Sequence, residues 1–459
     1  QGRLPARQPG QHPAGKTNDN PGIRGEHMST TNHMDKARQI DDATRRRALL
    51  GSAVEWYDYF LYGTMASIVF APLFFPSADP VASQMLSLAS FALAFLIRPV
   101  GGVVFAHIGD RIGRKKTLVM TLTIMGLATV GIGLMPTYDA IGYWAPILLT
   151  FLRLLQGLAL GGEWGGGLLM AVEYSPSNKR GLYGAIPQTG ALFGLALGNL
   201  TASGANAIFT NEEFLAYGWR IPFLLSVLLV GLGLWIRNAV DETPSFQKVR
   251  AENTTARVPL LETLKHHWRA VLVTIGAKLL ETSTFFIFAT FSLTYAISVG
   301  FTRGTALNAI LLAAIVAIPV MLAVGALSDR IGRKKMYTLG GIAMIVYIIP
   351  YFWLLNQKSA GLLFLAVTIG FGVIWSMYGA VLGTLFAESY SPEVRYTGVS
   401  LGYQIGAALV GGPAPLIATW LLQQYGGSYI PIGVFIIGCA LVSLLAVAFA
   451  RDKHGQSLD

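Results

Sequence analysis

The sequence predicts an all-α membrane protein with twelve transmembrane helices arranged in two related six-helix halves. Of its 459 residues, 53% are hydrophobic and only 13% are charged, about half the charged share of a soluble domain. The heptapeptide Asp-Arg-Ile-Gly-Arg-Lys-Lys occurs twice, at Asp110–Lys116 and at Asp329–Lys335, each time between long apolar runs. Lysine and arginine also cluster in alternate loops. Together these observations indicate a duplicated membrane unit about half the chain long.

Twelve apolar stretches approach the length of about 20 residues that a helix needs to cross a bilayer. Each is bounded by polar or basic residues, so each can be assigned to one crossing. The predicted spans are 47–73, 82–108, 117–136, 144–171, 181–205, 219–238, 270–298, 304–326, 337–356, 360–386, 398–423 and 429–450.

The basic residues predict the orientation in the membrane. One set of alternate loops holds most of the lysine and arginine, whereas the opposite set holds only Arg303 and Lys358. Because basic loops stay in the cytoplasm, both termini and both heptapeptides are expected there. This distribution also explains the net charge of +10 without nucleic-acid binding. The basic loops lie near 109–116, 178–180, 237–269, 328–335 and 393–395.

The polar segment after the sixth span divides the chain into its predicted domains. A second repeat supports this division, because Tyr174-Ser175-Pro176 recurs as Tyr390-Ser391-Pro392. We expect residues 1–44 to be a disordered tail, part of it a remnant of expression that precedes a native start at Met28 or Met34. The remaining predicted units are an N-terminal bundle (45–238), a cytoplasmic linker (239–269), a C-terminal bundle (270–450) and a cytoplasmic tail (451–459).

Charged residues inside the spans are the first candidates for function, because burying a charge in a membrane is costly. Asp58, Arg153 and Lys278 are expected near the midplane at a rise of about 1.5 Å per residue. A carboxylate there can carry a proton as access alternates. A guanidinium can bind an organic carboxylate through two parallel hydrogen bonds. Glu55 and Glu163 are further candidates for proton coupling, and Glu281 is a further candidate for substrate binding, since it follows Lys278 by three residues.

Each of these charges could instead be one half of a static pair between helices. Glu163 lies in the series Gly157-x-x-x-Gly161-x-x-x-Gly165, which favours close helix packing. Arg98 precedes Pro99 and is expected to snorkel or pair near the inner surface. Aromatic and amide residues could complete a cavity, although packing or anchoring at the membrane interface is the alternative for each. The predicted lining residues are Tyr59, Tyr62, Gln188, Trp375, Tyr403 and Gln404.

The repeated loops predict a latch on the cytoplasmic side. An aspartate at the end of one helix can face the positive N-terminus of another helix, and the following basic residues can pair with acids. Such contacts would break when the two halves rock against each other. The alternative is that these cations serve only to orient the chain. The predicted latch residues are Asp110, Arg111, Arg114, Asp329, Arg330, Arg333, Glu173 and Glu388.

Over about residues 45–450 the chain resembles the major facilitator superfamily. Its loop signature Gly-x-x-x-Asp-Arg-x-Gly-Arg-Lys occurs twice, with Ala106 replacing the first glycine in one copy. Within that superfamily the chain resembles the metabolite:proton symporters, and its shikimate and organic-acid members most closely. The resemblance implies proton symport of a small carboxylate or zwitterion, and it matches Asp58 and Arg153 to the family's first-span acid and fourth-span base. The stretches that carry it are Glu55-Trp56-Tyr57-Asp58-Tyr59, Arg98-Pro99-Val100-Gly101-Gly102, Gly161-Gly162-Glu163-Trp164-Gly165-Gly166, Glu393-Val394-Arg395-Tyr396-Thr397-Gly398 and Ala414-Pro415-Leu416-Ile417-Ala418-Thr419.

The predicted function is proton-coupled uptake of a small organic acid, such as shikimate, by alternating access in a bacterial inner membrane. The expected partners are the carboxylate, the proton and the lipid bilayer. The chain is expected to work as a monomer, without cofactor, metal or nucleic acid. A symporter of zwitterionic osmolytes such as proline or betaine remains open, as does an exporter of the same fold. An enzyme is disfavoured because no common catalytic motif is present, and a channel is disfavoured by the duplicated halves.

Overall fold

The structure is a computed structural model of the 459-residue chain. The residues that it describes outside the N-terminal tail begin at Trp56. The described residues are Gly2, 56–112, 114–161, 168–169, 171–172, 175–176, 178–238, 263, 265–390 and 394–450.

The described chain folds as long helices in the order predicted from the apolar runs. We label the twelve membrane helices α1 to α12. In the first half, α1 comprises residues 56–74, α2 Pro80–Ile112, α3 Arg114–Leu134, α4 Trp144–Gly161, α5 Arg180–Ile208 and α6 Arg220–Asn238. In the second half, α7 comprises Trp268–Ser298, α8 Arg303–Ile331, α9 Arg333–Asn356, α10 Ala360–Ser389, α11 Arg395–Gln424 and α12 Ile430–Phe449.

Ten of these helices are individually long and apolar enough to span a membrane. An eleventh candidate span combines Asn211–Gly218 with Arg220–Trp235 across a bend of 46°. The remaining helix, α1, is described only from Trp56 onward. No strand occurs among the described residues. The predicted all-α membrane fold is therefore confirmed.

Four of the membrane helices depart from regular α-helical geometry within their length. Helix α1 is interrupted at Val69, and α11 is interrupted between Val410 and Pro413. Helices α7 and α10 each contain a π-helical segment, Ile287–Phe291 and Thr368–Trp375. Such segments are frequent at functional sites because the wider turn redirects side chains.

Glycine brings α2 and α4 into backbone contact. A Cβ atom on Gly157 would lie 2.3 Å from the carbonyl oxygen of Ala94, and one on Gly161 would lie 2.1 Å from that of Arg98. Close approach through small residues is a common way for helices to pack in lipid, where burial of apolar surface gives no advantage. The approach positions Arg98 beside Gly161.

Two further glycine contacts position the helices that carry the site and the latch. A Cβ atom on Gly181 of α5 would lie 2.5 Å from the carbonyl oxygen of Gly325 of α8. A Cβ atom on Gly406 of α11 would lie 2.6 Å from the Cβ atom of Lys278 of α7. Side chains at the end of α8 therefore reach the start of α5, and α11 lies directly against the charged part of α7.

The predicted division at 239–269 and the two terminal tails stay predictions, because most of those residues lie outside the described part. Helix α6 is described as far as Asn238, and α7 begins at Trp268.

Candidate functional site

Asp58 lies on α1 and is completely buried. One carboxylate oxygen, Oδ1, accepts a hydrogen bond of 2.5 Å from the Ser226 hydroxyl on α6. The other, Oδ2, is buried without a hydrogen-bond partner among the described residues. Asp58 is therefore held by a neutral group from a neighbouring helix and not by a cation.

Arg153 on α4 is also completely buried. Its Nη1 donates to the side-chain oxygen of Gln156 at 2.9 Å and to the backbone oxygen of Tyr59 at 3.4 Å. Its Cζ lies 4.1, 4.3 and 4.9 Å from the ring centroids of Tyr59, Tyr62 and Phe91, within cation–π distance. Nε and Nη2 have no hydrogen-bond partner among the described residues. This guanidinium is therefore enclosed by aromatic faces and retains unused donors.

Lys278 and Glu281 on α7 form a direct ion pair one helical turn apart. The Glu281 carboxylate also accepts a hydrogen bond from the Thr282 hydroxyl at 2.9 Å, and its backbone oxygen accepts one from the Trp375 indole at 2.9 Å. The Lys278 ammonium lies 3.8 Å from the centroid of the Tyr403 ring. The charge of Lys278 is thus neutralised on its own helix.

Arg98 on α2 is the residue whose position differs most from the expectation. It does not snorkel toward the inner surface: it is 2% exposed and reaches across to α11, where its Nε donates to the Gln404 side-chain oxygen at 3.0 Å. The Gln404 amide nitrogen donates in turn to the backbone oxygen of Gly161 on α4, also at 3.0 Å. The close approach of α2 to α4 leaves no lipid-facing route for this arginine.

Three cations and two tyrosine rings form one continuous row through the middle of the molecule, which we call the cation–tyrosine row. Its members in spatial order are Arg153, Tyr59, Arg98, Tyr403 and Lys278. The successive cation-to-ring distances are 4.1, 5.6, 5.8 and 3.8 Å. The row begins on α4, α1 and α2 and ends on α11 and α7, so helices of both predicted halves contribute to it.

The other predicted lining residues lie at different distances from this row. The Tyr62 hydroxyl is hydrogen-bonded to Ser90 at 2.7 Å, and the Tyr62 ring faces Arg153. Trp375 packs against Phe285, with 5.2 Å between their ring centroids. Gln188 is half-buried near Gly383 of α10 and has no hydrogen bond among the described residues. Gln188 and Gln404 therefore differ in environment although they occupy corresponding positions in the repeat.

A second polar cluster joins α5, α8, α9 and α10 at the predicted cytoplasmic side. The Asp329 carboxylate accepts hydrogen bonds from the backbone N–H groups of Gly181 and Leu182, at 2.8 and 3.1 Å, where the dipole of α5 favours a negative charge. Arg333 pairs with Asp329 at 2.8 Å and with Glu388 at 3.5 Å. Arg330 is exposed. We call Asp329, Arg333, Glu388 and the first turn of α5 the latch cluster.

The opposite ends of the same helices are joined by weaker contacts. The Ser203 hydroxyl on α5 donates to the Asn308 side-chain oxygen on α8 at 2.5 Å. On α1, the Ser67 hydroxyl donates to the backbone oxygen of Thr290 on α7 at 3.0 Å. Contacts between the predicted halves therefore exist at both ends of the molecule and in its middle.

Several predicted site residues lie outside the described part. Glu55, Glu163 and Glu173 are not described. For Asp110, Arg111 and Arg114 only the helical backbone is described. The parts that these residues play in proton coupling and in the latch stay predictions.

Sequence reasoning missed two functional neighbours and undervalued a third. Ser226 contacts Asp58 and Phe91 contacts Arg153, but a lone serine or phenylalanine in an apolar run carries no signal of its own. Arg98 did carry a signal, because an arginine within a span is costly. Its position next to Pro99 led to the prediction that it would snorkel or pair near the inner surface.

Comparison with known proteins adds the family. The model of the Major Facilitator Superfamily matches residues 48–413. The inner membrane metabolite transport protein YhjE of Escherichia coli strain K12 is 38% identical over 420 residues, which cover 90% of this chain and 94% of that protein. The shikimate transporter of the same strain is 37% identical, with 89% and 95% covered. The proline/betaine transporter of that strain is 34% identical, and the match covers 91% of this chain and 86% of that protein.

Solved structures support the same fold. The xylose transporter XylE from E. coli, in a partially occluded inward open conformation, matches with a TM-score of 0.72 at 16% sequence identity. The match covers 90% of this chain and 99% of that one. At this identity the match is informative about the arrangement of the twelve helices and not about the cargo.

Proposed function

Because the chain belongs to the major facilitator superfamily and is a multi-pass membrane transport protein and not an enzyme, we propose that it takes up a small organic acid together with a proton. The transport cycle is alternating access about the cation–tyrosine row, performed by a monomer in the inner membrane with both termini in the cytoplasm. The shikimate transporter among its relatives supports an organic acid as the cargo.

The observation that carries this proposal is the excess of buried positive charge in the row. Lys278 has Glu281 as its partner, whereas Arg98 and Arg153 have no carboxylate partner among the described residues. An unpaired buried cation is costly, and a carboxylate is the ligand that a guanidinium binds best. A substrate carboxylate entering the row would therefore replace hydrogen bonds to uncharged acceptors with an ion pair.

The aromatic faces of the row favour an anion over a quaternary ammonium group. A quaternary ammonium ion is typically bound on the faces of aromatic rings. Here the rings of Tyr59 and Tyr403 already face Arg98, and each also faces a second cation of the chain, Arg153 or Lys278. A free cation would meet like charges at each face, which weighs against the osmolyte alternative.

Asp58 is the group proposed to carry the proton. It is adjacent in sequence to Tyr59, whose ring lies in the row and whose backbone oxygen accepts from Arg153. Its Oδ2 atom can accept a proton without losing an ion pair, because no cation binds it in the described part of the chain. A proton on Asp58 would offset the charge that moves when a carboxylate enters, so that the loaded carrier reorients without carrying extra charge through the membrane.

The latch cluster is proposed to hold the cytoplasmic side closed while the row faces outward. Opening that side would separate Asp329 from the start of α5, because these contacts link α8 to α5. The contacts between Ser203 and Asn308 would hold the opposite side closed in the other half of the cycle. Each closure involves a few hydrogen bonds, which is compatible with a reversible transition.

Uptake into proteoliposomes tests the proposal. The vesicles are loaded at pH 7.5 and diluted into pH 6.0 medium containing radiolabelled shikimate, benzoate, 2-oxoglutarate, proline or betaine. We expect accumulation of at least one carboxylate above the level of protein-free liposomes, with loss of this excess when an ionophore collapses the pH gradient. Uptake of every carboxylate that is independent of the gradient would refute symport. Accumulation of proline or betaine alone would favour the osmolyte alternative, and substrate efflux driven by a proton gradient of the opposite direction alone would favour an exporter.

A further inference from the structure

We infer that Arg98 is the residue that binds the carboxylate of the substrate, and that it does so by exchanging the side chain of Gln404 for that carboxylate. The inference rests on the proposed function for the identity of the ligand. It adds a residue that lies outside the predicted site, and it provides a link between substrate binding and the movement of helices.

The three cations of the row differ in the number and charge of the groups that already bind them. Lys278 has a carboxylate on its own helix. Arg153 is stacked among three rings and bound to Gln156, all on helices of one predicted half. Among the described residues, Arg98 donates to one neutral acceptor, Gln404, which lies on a helix of the other predicted half. It is therefore the cation at which an incoming anion meets the least competition.

The hydrogen-bonding edge of Arg98 is half used. A guanidinium binds a carboxylate side-on through Nε and Nη2, whose N–H groups point in parallel. In Arg98, Nε donates to the single amide oxygen of Gln404, and Nη2 is buried without a hydrogen-bond partner among the described residues. One amide oxygen satisfies one donor of this edge, whereas the two oxygens of a carboxylate satisfy both. The exchange thus replaces one hydrogen bond to a neutral acceptor with two hydrogen bonds to an anionic one.

The surroundings of Arg98 indicate what the carboxylate is attached to. The guanidinium lies 5.4 to 5.9 Å from the ring centroids of Trp56, Tyr59, Phe95 and Tyr403. These rings exclude water, which strengthens an ion pair, and they make the surroundings of the guanidinium aromatic and apolar. The ligand class that fits is a carboxylate on a compact cyclic or apolar body.

Release of Gln404 has a structural consequence. Gln404 binds Arg98 of α2 through its oxygen and Gly161 of α4 through its nitrogen, so this one side chain ties α11 to two helices of the opposite half. A carboxylate that displaces the Gln404 oxygen from Arg98 breaks one of these two hydrogen bonds. Substrate binding thereby frees α11 to move relative to α2.

The first experiment needs no substrate. Gln404→Glu places a tethered carboxylate of nearly the same length opposite Arg98. In a thermal-shift assay of the full-length chain, we expect Gln404→Glu to melt about 2–5 °C above Gln404→Leu, and we expect this difference to vanish in the Arg98→Gln background. If Gln404→Glu and Gln404→Leu melt at the same temperature in the protein that retains Arg98, the claim that Arg98 has an unused donor facing residue 404 is refuted. This outcome does not depend on what the protein transports.

The second experiment measures binding of shikimate, benzoate and 2-oxoglutarate, with their methyl esters as uncharged controls. For each acid that binds the unmodified protein, we expect Gln404→Glu and Arg98→Gln to raise Kd about tenfold or more, because the first variant occupies Arg98 and the second removes it. Gln423→Glu makes the same chemical change at an exposed position of α11 and is expected to leave Kd unchanged. Unchanged binding in Gln404→Glu and Arg98→Gln would refute the role of Arg98 while leaving proton symport intact. Absence of binding and of uptake of all three acids by the unmodified protein would instead refute the proposed function.

Discussion

The buried charges of the two predicted halves are arranged in opposite ways. In the second half, Lys278 and Glu281 lie one turn apart on α7 and neutralise each other. In the first half, Asp58 and Arg153 lie on different helices and bind neutral groups, a serine hydroxyl and a glutamine amide. A direct pair needs no further ion, whereas a separated acid and base can each accept one. On the proposed function, this difference corresponds to proton and substrate chemistry in the first half and a supporting role for the pair on α7.

The largest effect is expected from Asp58→Asn, which removes the proposed proton site while keeping a group that Ser226 can bind. Accumulation driven by a pH gradient should fall to the level of protein-free liposomes. Exchange of internal for external substrate without a gradient should persist, because it requires no net proton movement. Uptake and counterflow of the same radiolabelled carboxylate measure the two activities.

Ser226→Ala provides the matched control for Asp58. It removes the hydrogen bond from Ser226 to the carboxylate and leaves the titratable group in place. Accumulation should be reduced but should still follow the pH gradient. If Asp58→Asn accumulates substrate as well as Ser226→Ala does, Asp58 is a structural residue.

A large effect on folding is expected at the α7 pair, and it should disappear when both charges are removed. Lys278→Met leaves Glu281 buried without its cation, which costs about 3–5 kcal/mol. The double variant Lys278→Met/Glu281→Met removes both charges and should return stability to within about 1 kcal/mol of the unmodified protein. Denaturation of each variant in detergent measures the difference.

The same variants show whether the Lys278–Glu281 pair only stabilises the fold or also takes part in transport. The double variant is expected to retain accumulation driven by a pH gradient, at a reduced rate. Complete loss of accumulation in a stably folded double variant would mean that Lys278 binds substrate itself, and the contrast between the two halves would then be wrong.

A moderate effect is expected at the latch cluster. Asp329→Asn weakens two hydrogen bonds to the start of α5 and the pair with Arg333, at a cost of about 1.5–3 kcal/mol for a charged acceptor. The variant should populate a conformation open to the predicted cytoplasmic side. Thr384 of α10 is buried against the start of α5. Labelling of Thr384→Cys by a membrane-permeant maleimide, in the Cys439→Ser background, measures this opening.

Arg330→Gln is the control for the latch, because Arg330 is adjacent in sequence and exposed. It should leave the labelling rate unchanged. Equal labelling of the cysteine in Asp329→Asn and in Arg330→Gln would show that the contact with α5 does not hold this side closed.

The smallest effect is expected where α5 meets α8 at the opposite end. Ser203→Ala removes one exposed hydrogen bond to Asn308, which contributes about 0.5–1 kcal/mol. The melting temperature should fall by about 1 °C, and uptake should stay within about twofold of the unmodified protein. A loss as large as that of Asp329→Asn would mean that the two ends of the molecule are closed by contacts of equal strength.

The sequence was sufficient for the fold, because a duplicated loop and twelve apolar runs leave few alternatives in a membrane. It was less informative about which side chains contact each other. Lys278 and Glu281 are three residues apart, so helical spacing places them on one face, yet spacing alone does not distinguish a closed pair from two free groups. Gln188 and Gln404 correspond in the repeat, but only Gln404 faces an arginine. Arg98 was predicted to snorkel or pair near the inner surface. Its actual environment between helices depends on glycine contacts between α2 and α4, and hydropathy does not reveal such contacts.

The direct test of symport by the first half is to follow protons and substrate in the same vesicles. Proteoliposomes containing a trapped pH indicator are given an inward gradient of an accumulated carboxylate at equal pH on both sides. The proposed coupling predicts that the lumen acidifies as the carboxylate enters with the unmodified protein. With Asp58→Asn, acidification should not exceed that of protein-free liposomes. Carboxylate entry without acidification, or equal acidification with Asp58→Asn, would contradict it.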